Sequence, residues 1–336
     1  YTSTDGRGFG NPITVSGGAT TSKTITNLNA GATIFFRVCA TNAGGESLNS
    51  QVAGVRVTAG GSKAGVLVVA GFDRNDSSLA PTRYFANGLN GQVTLVRPKM
   101  INSGDYVKEH GLALAAAGQT FDFMDHTLVT GAAVLTNYAK VVWMLGEEST
   151  VDETFSSGEV TAVTGYLNAG GRLFVSGAEV GYDLGRAAIS TPAELAFLTN
   201  MLRTTYIADS GNTGQVTGTA SGFLNGVTIH FNYTNLLTDI YAANYPDVLG
   251  AGSGAAKAAV YGASAGGANG AIIQYSNATY RTIVMGFPFE TITNEATRAT
   301  VMTKAMEFLS DATVPGAVKV TLAPAGAAGT GRWIIA

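Results

Sequence analysis

Apolar residues along this chain arrive in two rhythms, and each predicts a different kind of segment. Around 34–40 they alternate: Ile34, Phe36, Val38 and Ala40 fall on one side of an extended chain, Phe35, Arg37 and Cys39 on the other. The turn-forming runs Asn27-Leu28-Asn29-Ala30-Gly31 and Asn42-Ala43-Gly44-Gly45 bracket that segment, and a second strand is expected over 52–58. After residue 64 the pattern changes. Val66-Leu67-Val68-Val69-Ala70, Val141-Val142-Trp143-Met144-Leu145 and Leu173-Phe174-Val175 are unbroken apolar runs, as strands buried on both faces require. Helices are expected over 81–90, 105–117, 159–169, 193–202 and 294–309, with further strands over 92–96, 227–231, 258–261, 271–274 and 282–285. Within 159–169, Val160, Val163, Tyr166 and Leu167 share one helical face, and Gly170-Gly171 supplies the stop.

Strand alternating with helix predicts an α/β fold: a mainly parallel sheet with helices on both faces, flanked by an all-β segment. Gly60-Gly61-Ser62-Lys63 reads as a short linker, and Val314-Pro315-Gly316 breaks the pattern again before an expected strand at 318–322. The organisation expected is a β segment over 1–60, an α/β domain over 61–313, and a linker or the start of another β domain over 314–336. These ends read as pieces of a longer multidomain chain.

Charge narrows the functional classes. Only 13% of residues are charged, and 20 basic against 23 acidic residues leave a net charge of −3. No basic excess is available to neutralise nucleic-acid phosphates or to meet an anionic membrane, and the apolar runs are far too short to span a bilayer. One cysteine excludes an internal disulfide framework, and three histidines make a histidine-built zinc centre improbable. His110, His126 and His230 are read as surface or packing residues, and Cys39 as a half-buried thiol.

In a parallel α/β sheet, functional groups collect where strands end at their carboxyl edge. The expected exits carry Asp73 and Arg74, then Glu147 and Glu148, then Ser176 to Glu179 with Asp183 just after, and finally Glu290. Acidic groups at four separate exits suggest one shared cleft. Glu148, Glu179 and Glu290 are the candidate catalytic acids, and Asp73, Arg74, Glu147, Ser176 and Asp183 the candidate ligand-binding residues. No cofactor is expected. Calcium is the alternative, with Asp73, Asp76, Glu147 and Asp183 as hard oxygen donors, although no EF-hand spacing exists.

Three stretches carry family resemblances. Gly177-Ala178-Glu179-Val180-Gly181 and Phe287-Pro288-Phe289-Glu290 resemble the nucleophile elbow and the terminal Phe-His-Pro-Glu run of the class I glutamine amidotransferase-like (flavodoxin-like) fold. Glu179 stands where that family places its cysteine, and Pro288 where it places its histidine. A carboxylate is a poor substitute for the thiolate and proline cannot accept a proton, so amidotransferase chemistry is excluded. With Val66 to Arg74, Gly146-Glu147-Glu148-Ser149 and Gly170 to Glu179 added, residues 64–310 resemble golvesin-like, xanthan-lyase-associated bacterial extracellular modules. Leu28, Ile34, Phe36, Val38, Ala40, Asn42 and Gly45-Glu46-Ser47 resemble the second half of a fibronectin type III domain, with Ile34 in place of its corner tyrosine.

These resemblances imply a secreted or cell-surface bacterial protein that binds or scaffolds without catalysis, with a polysaccharide or cell-surface component as partner. Tyr182, Tyr233, Tyr241 and Tyr245 are then candidates for stacking on sugars. The alternative is a glycan-active carboxylate enzyme, a hydrolase or lyase, in which Glu179 pairs with Glu148 or Glu290; Arg74 and Arg172 would neutralise a uronate. A structural subunit of a surface assembly is the third reading.

Overall fold

The computed structural model describes residues 1–74, 105–148, 152–234 and 240–310, with the backbone of 82–84 and 92–94. Within the helix expected over 81–90, residues 82–84 form strand instead: β7 (Thr82–Tyr84) pairs antiparallel with β8 (Gln92–Thr94), outside the main sheet. Asp76 and the expected strand at 318–322 lie outside the described residues.

The first sixty residues form a small antiparallel sheet of β1 (Thr2–Ser3), β2 (Thr33–Phe36) and β5 (Ala53–Arg56), with a separate ribbon of β3 (Thr41–Asn42) and β4 (Gly45–Glu46). The face that carries Phe35 is the inward one: Phe35 is fully buried, whereas Val38 is 69% exposed. Alternation distinguishes two faces but does not say which one meets a partner. Here Phe35 inserts beside Gly54, where a Cβ would lie 2.7 Å from its ring, and joins the core that contains Phe121.

Among the described residues, the main sheet has eleven strands. One half is parallel, in the spatial order β9 (Phe121–Asp125), β6 (Val66–Ala70), β10 (Lys140–Glu147), β11 (Arg172–Ala178) and β18 (Arg281–Met285). The other half is antiparallel and continues through β17 (Gly270–Ser276), β16 (Ala256–Tyr261), β13 (Gln215–Gly218) and β14 (Thr228–His230). β15 (Val248–Ala251) joins β17 and carries β12 (Thr204–Ala208). The expected parallel sheet is therefore present as the first half of a larger mixed one.

The unbroken apolar runs are explained by burial on both sides. Along β6, Val66, Val68 and Ala70 enter one core, and Leu67 and Val69 enter the other. β10 divides the same way, with Val142 and Met144 against Val141, Trp143 and Leu145. The first core is covered by α1 (Val107–Ala116) and α6 (Glu295–Ser310), which contributes Val301, Met302, Ala305, Met306 and Leu309. The second is covered by α2 (Ala132–Leu135) and α3 (Ser157–Asn168), whose Ala162, Val163, Tyr166 and Leu167 face the sheet. Each such side chain contributes about 1.5–3 kcal/mol of burial. The chain after α3 adds α4 (Val180–Gly185) and α5 (Pro192–Ala196), the latter running into a wide helical turn over Phe197–Met201. No described helix is long and apolar enough to cross a membrane.

The exit of β6 is tight. A Cβ at Gly71 would lie 2.0 Å from Nε1 of the fully buried Trp143. Gly71→Ala is expected to destabilise the fold by about 1–3 kcal/mol or more, read as a lowered urea midpoint with an unchanged m-value.

Candidate functional site

Because β9, β6, β10, β11 and β18 run parallel, their carboxyl ends share one edge, and five acids named from the sequence, Asp73, Glu147, Glu148, Glu179 and Asp183, arrive there through local backbone geometry. Glu148, directly after β10, is fully buried. Its Oε1 accepts the Asp73 amide at 2.7 Å, and its Oε2 accepts the Arg74 amide at 3.3 Å. Arg74 returns a bond from Nη1 to the Glu148 carbonyl at 3.4 Å. Burial, and then the charge of Asp73, push the Glu148 carboxyl up to about 8. Glu147 accepts the Asn244 amide at 3.0 Å, and burial pushes it up to about 7. Asp183, in α4, accepts both the amide (2.8 Å) and the hydroxyl (2.7 Å) of Thr154, and burial raises it.

Glu179 sits at the centre of this edge. β11 ends at Ala178 and α4 starts at Val180, so one residue must make the whole turn. Glu179 makes it in the left-handed region, with φ +68° and ψ −4°. For a residue with a side chain this conformation costs on the order of 1–3 kcal/mol, and it persists where surrounding structure imposes it. Packing does so on both sides: a Cβ at Gly177 would lie 2.6 Å from Leu145 Cβ, and one at Gly181 would lie 2.7 Å from Leu249 Cδ2. The Glu179 side chain is half-buried and has no hydrogen-bond partner among the described residues. Burial, then the charges of Asp209 and Glu147, push its carboxyl up to about 8, opposed by Arg74. It is a carboxylic acid at neutral pH, with its proton unengaged.

Two sequence candidates lie elsewhere. Ser176 is fully buried within β11. Glu290 is also fully buried: its Oε1 accepts the Tyr241 hydroxyl at 2.6 Å, and its Oε2 lies 3.9 Å from His110 Nε2. Burial pushes Glu290 up to about 7 and holds His110 down at about 3, so this pair is a neutral interior network. Tyr241, expected at the surface, is 5% exposed for the same reason. Arg172 begins β11, at the opposite edge, where its Nη1 bonds the carbonyls of Gly170 (2.6 Å) and Thr279 (2.8 Å). It does not reach the acids. Of the four tyrosines, Tyr245 is 55% exposed beside Asn244, and Tyr182 is half-buried three residues after Glu179. Tyr182 lies edge-on to Tyr206, with the Arg186 guanidinium 4.7 Å over its ring.

Two further groups escaped sequence reasoning. At the exit of β9, His126 Nδ1 bonds Glu159 Oε1 at 2.8 Å, which raises the imidazole against the effect of burial. Its Nε2 lies 3.9 Å from Asp73 Oδ2. Glu159 is fixed by a capping box in which its other oxygen accepts the Ser156 amide and hydroxyl at 2.8 Å each. The Ser156-x-x-Glu159 spacing was the legible signal for that anchor. Asp247 is the second: fully buried, its Oδ2 accepts the amides of Gly181 at 2.6 Å and Tyr182 at 3.3 Å. Among the described residues, no group of three or more His, Cys, Asp or Glu is arranged to hold a metal ion.

No protein-family model and no curated protein matches this chain. Among solved structures, it is similar to a β-galactosidase from Rahnella sp. R3, at 17% identity over 76% of this chain and 32% of that one, with a TM-score of 0.44. An exo-β-1,4-mannosidase from Opitutaceae bacterium strain TAV5 aligns at 9% identity over 74% and 36%, with a TM-score of 0.41. A β-galactosidase from the haloarchaeon Halorubrum lacusprofundi aligns at 12% over 75% and 31%, with a TM-score of 0.40. The chain spans about a third of the length of each.

These findings correct the resemblance read from the motifs. The matches include β-galactosidases, a mannosidase and two Salmonella typhimurium cytoplasmic proteins, and none of these is a golvesin-like or xanthan-lyase-associated module, an amidotransferase or a fibronectin type III domain. The motifs misled for a physical reason. Their glycines answer to Leu145, Leu249 and Asp247 in this fold, so the spacing follows from packing around tight strand exits.

Proposed function

We propose that this chain is a carboxylate-dependent, glycan-active module in which Glu179 is the proton donor. The observation that carries the reading is Glu179 itself: a half-buried, unpartnered acid, protonated at neutral pH, on a left-handed turn at the middle of the strand-exit edge. General acids that protonate a glycosidic oxygen need their proton held to near-neutral pH in this way. The surroundings favour a neutral polyol. Carboxyls that keep their proton, Glu147 and Glu148 among them, both donate to and accept from hydroxyls. Tyr182 and Tyr245 flank the row with apolar faces suited to sugar C–H surfaces.

A second reading, glycan binding without turnover, has its own support. Burial pushes Glu147 up to about 7 and Glu148 up to about 8, and raises Asp73, Asp183, Asp209 and Asp247 as well, so ionisation of the acids around Glu179 is disfavoured. Hydrolysis needs one ionised carboxylate as base or nucleophile. Incubation with a panel of neutral oligosaccharides separates the two. Sugar release that vanishes in Glu179→Gln supports the enzyme, saturable binding without release supports the binder, and neither outcome removes both. In either case Tyr182→Ala and Tyr245→Ala are each expected to weaken glycan affinity about 2–10-fold, measured by titration calorimetry.

A further inference from the structure

We infer that Asp247 is the positioning residue of the elbow: from the opposite half of the sheet, its carboxyl holds the first turn of α4 and so fixes the conformation and surroundings of Glu179. The inference rests on the reading of Glu179 as the working acid. A left-handed turn at a residue with a side chain relaxes unless something holds it. The holding contacts here are the bonds from the Gly181 and Tyr182 amides, the second and third after Glu179, to Asp247 Oδ2. Asp247 is in turn delivered by a fixed backbone. Its amide donates to the Gly286 carbonyl at 2.7 Å, its carbonyl accepts the Tyr261 hydroxyl at 3.0 Å, and the Pro246 carbonyl accepts the Gly211 amide at 3.0 Å.

The glycines of both strand-exit motifs make room for this residue. A Cβ at Gly181 would lie 3.3 Å from Asp247 Oδ2, and one at Gly286 would lie 2.4 Å from the Asp247 carbonyl oxygen. Asp247 Oδ1 is buried with no hydrogen-bond partner, a cost of about 1–3 kcal/mol that a purely structural anchor would avoid. Burial, and then the proximity of Glu179, raise the Asp247 carboxyl well above the usual carboxylate range. Glu147, Arg74, Asp183 and Asp209 surround Glu179, and Asp209, Tyr206 and Tyr261 surround Asp247. Asn has the shape of this side chain and keeps an oxygen for the two amides, whereas Ala removes the acceptor.

The test uses the intact chain. The Glu179 carboxyl is titrated by ¹³C NMR, assigned with Glu179→Gln, and the Gly181 and Tyr182 amides are followed by hydrogen exchange. Asp247→Ala is expected to speed exchange of both amides at least about 10-fold. It should also lower the Glu179 midpoint by about one pH unit or more, as the elbow opens to water. Asp247→Asn should leave both unchanged. If Asp247→Ala does not fold, Asp247→Ser, whose hydroxyl is too short to span to Gly181, replaces it. An unmoved Glu179 midpoint in the Ala or Ser variant overturns the inference, and so does an Asn variant that behaves like Ala. The shift as expected, without sugar release by the native chain, leaves the positioning role standing and removes the enzymatic reading.

Discussion

Replacing Glu179 with Gln should lower turnover of a responsive oligosaccharide about 10²–10⁴-fold, the usual loss when a positioned general acid is removed. Gln has nearly the same shape and makes no new demand on the left-handed turn, so the elbow and its bonds to Asp247 should survive. Only the proton is lost. The same change should raise stability at pH 8, because a desolvated acid is replaced by a neutral group. A side chain that weakens the fold both by its backbone conformation, φ +68°, and by the burial of its carboxyl is retained for a reason other than stability. Rate assays and thermal melts of the two proteins check both halves. A variant that is more stable and equally active would show that the strain at Glu179 serves something other than proton transfer.

The row of acids was legible because a parallel sheet sends every strand exit to one edge. Val66–Ala70 and the runs in β10 and β11 could be read as strands buried on both faces, and whatever follows them lands together. Which of these acids meets solvent was not legible. Glu290 follows its strand much as Glu148 and Glu179 follow theirs, yet Tyr241 and His110 enclose it. Those partners come from 49 and 180 residues earlier in the chain, and no local pattern announces them. Asp247 shows the same limit, since its bond to Gly181 spans 66 residues. Its presence left a trace only in the glycines that admit it. The antiparallel half escaped in part because β12 and β13 are short and rich in Thr and Gly, too brief to display a period. The helix expected over 81–90 failed where backbone pairing between β7 and β8 overrode local propensity.

Stability should fall as pH rises from about 5 to about 8, with each of five raised carboxyls adding up to about 1.4 kcal/mol per pH unit to the slope. Folding raises Glu109, Glu147 and Glu290 to about 7, and Glu148 and Glu179 to about 8, each chiefly through burial. In the unfolded chain these groups ionise near 4.5, so across the interval the folded state holds protons that the unfolded state has released. Their contribution is complete below about 4.5 and disappears as pH passes through 7 to 8. His126, raised by Glu159, acts in the same direction above its ordinary value of 6.5. His110 acts oppositely: held at about 3, it stays neutral in the fold, and its contribution is lost as pH drops from 6.5 toward 3. The five carboxyls outweigh the single imidazole once the unfolded chain ionises, so the stability maximum belongs at or below about pH 5. Urea midpoints collected from pH 4 to 9 should trace this curve. Glu148→Gln should flatten its alkaline side by no more than one proton's worth, about 1.4 kcal/mol per pH unit. Stability that is level or rising between pH 5 and 8 would mean that these carboxyls are solvated in solution, and with that the desolvated acid row, and Glu179 as its proton donor, would be withdrawn.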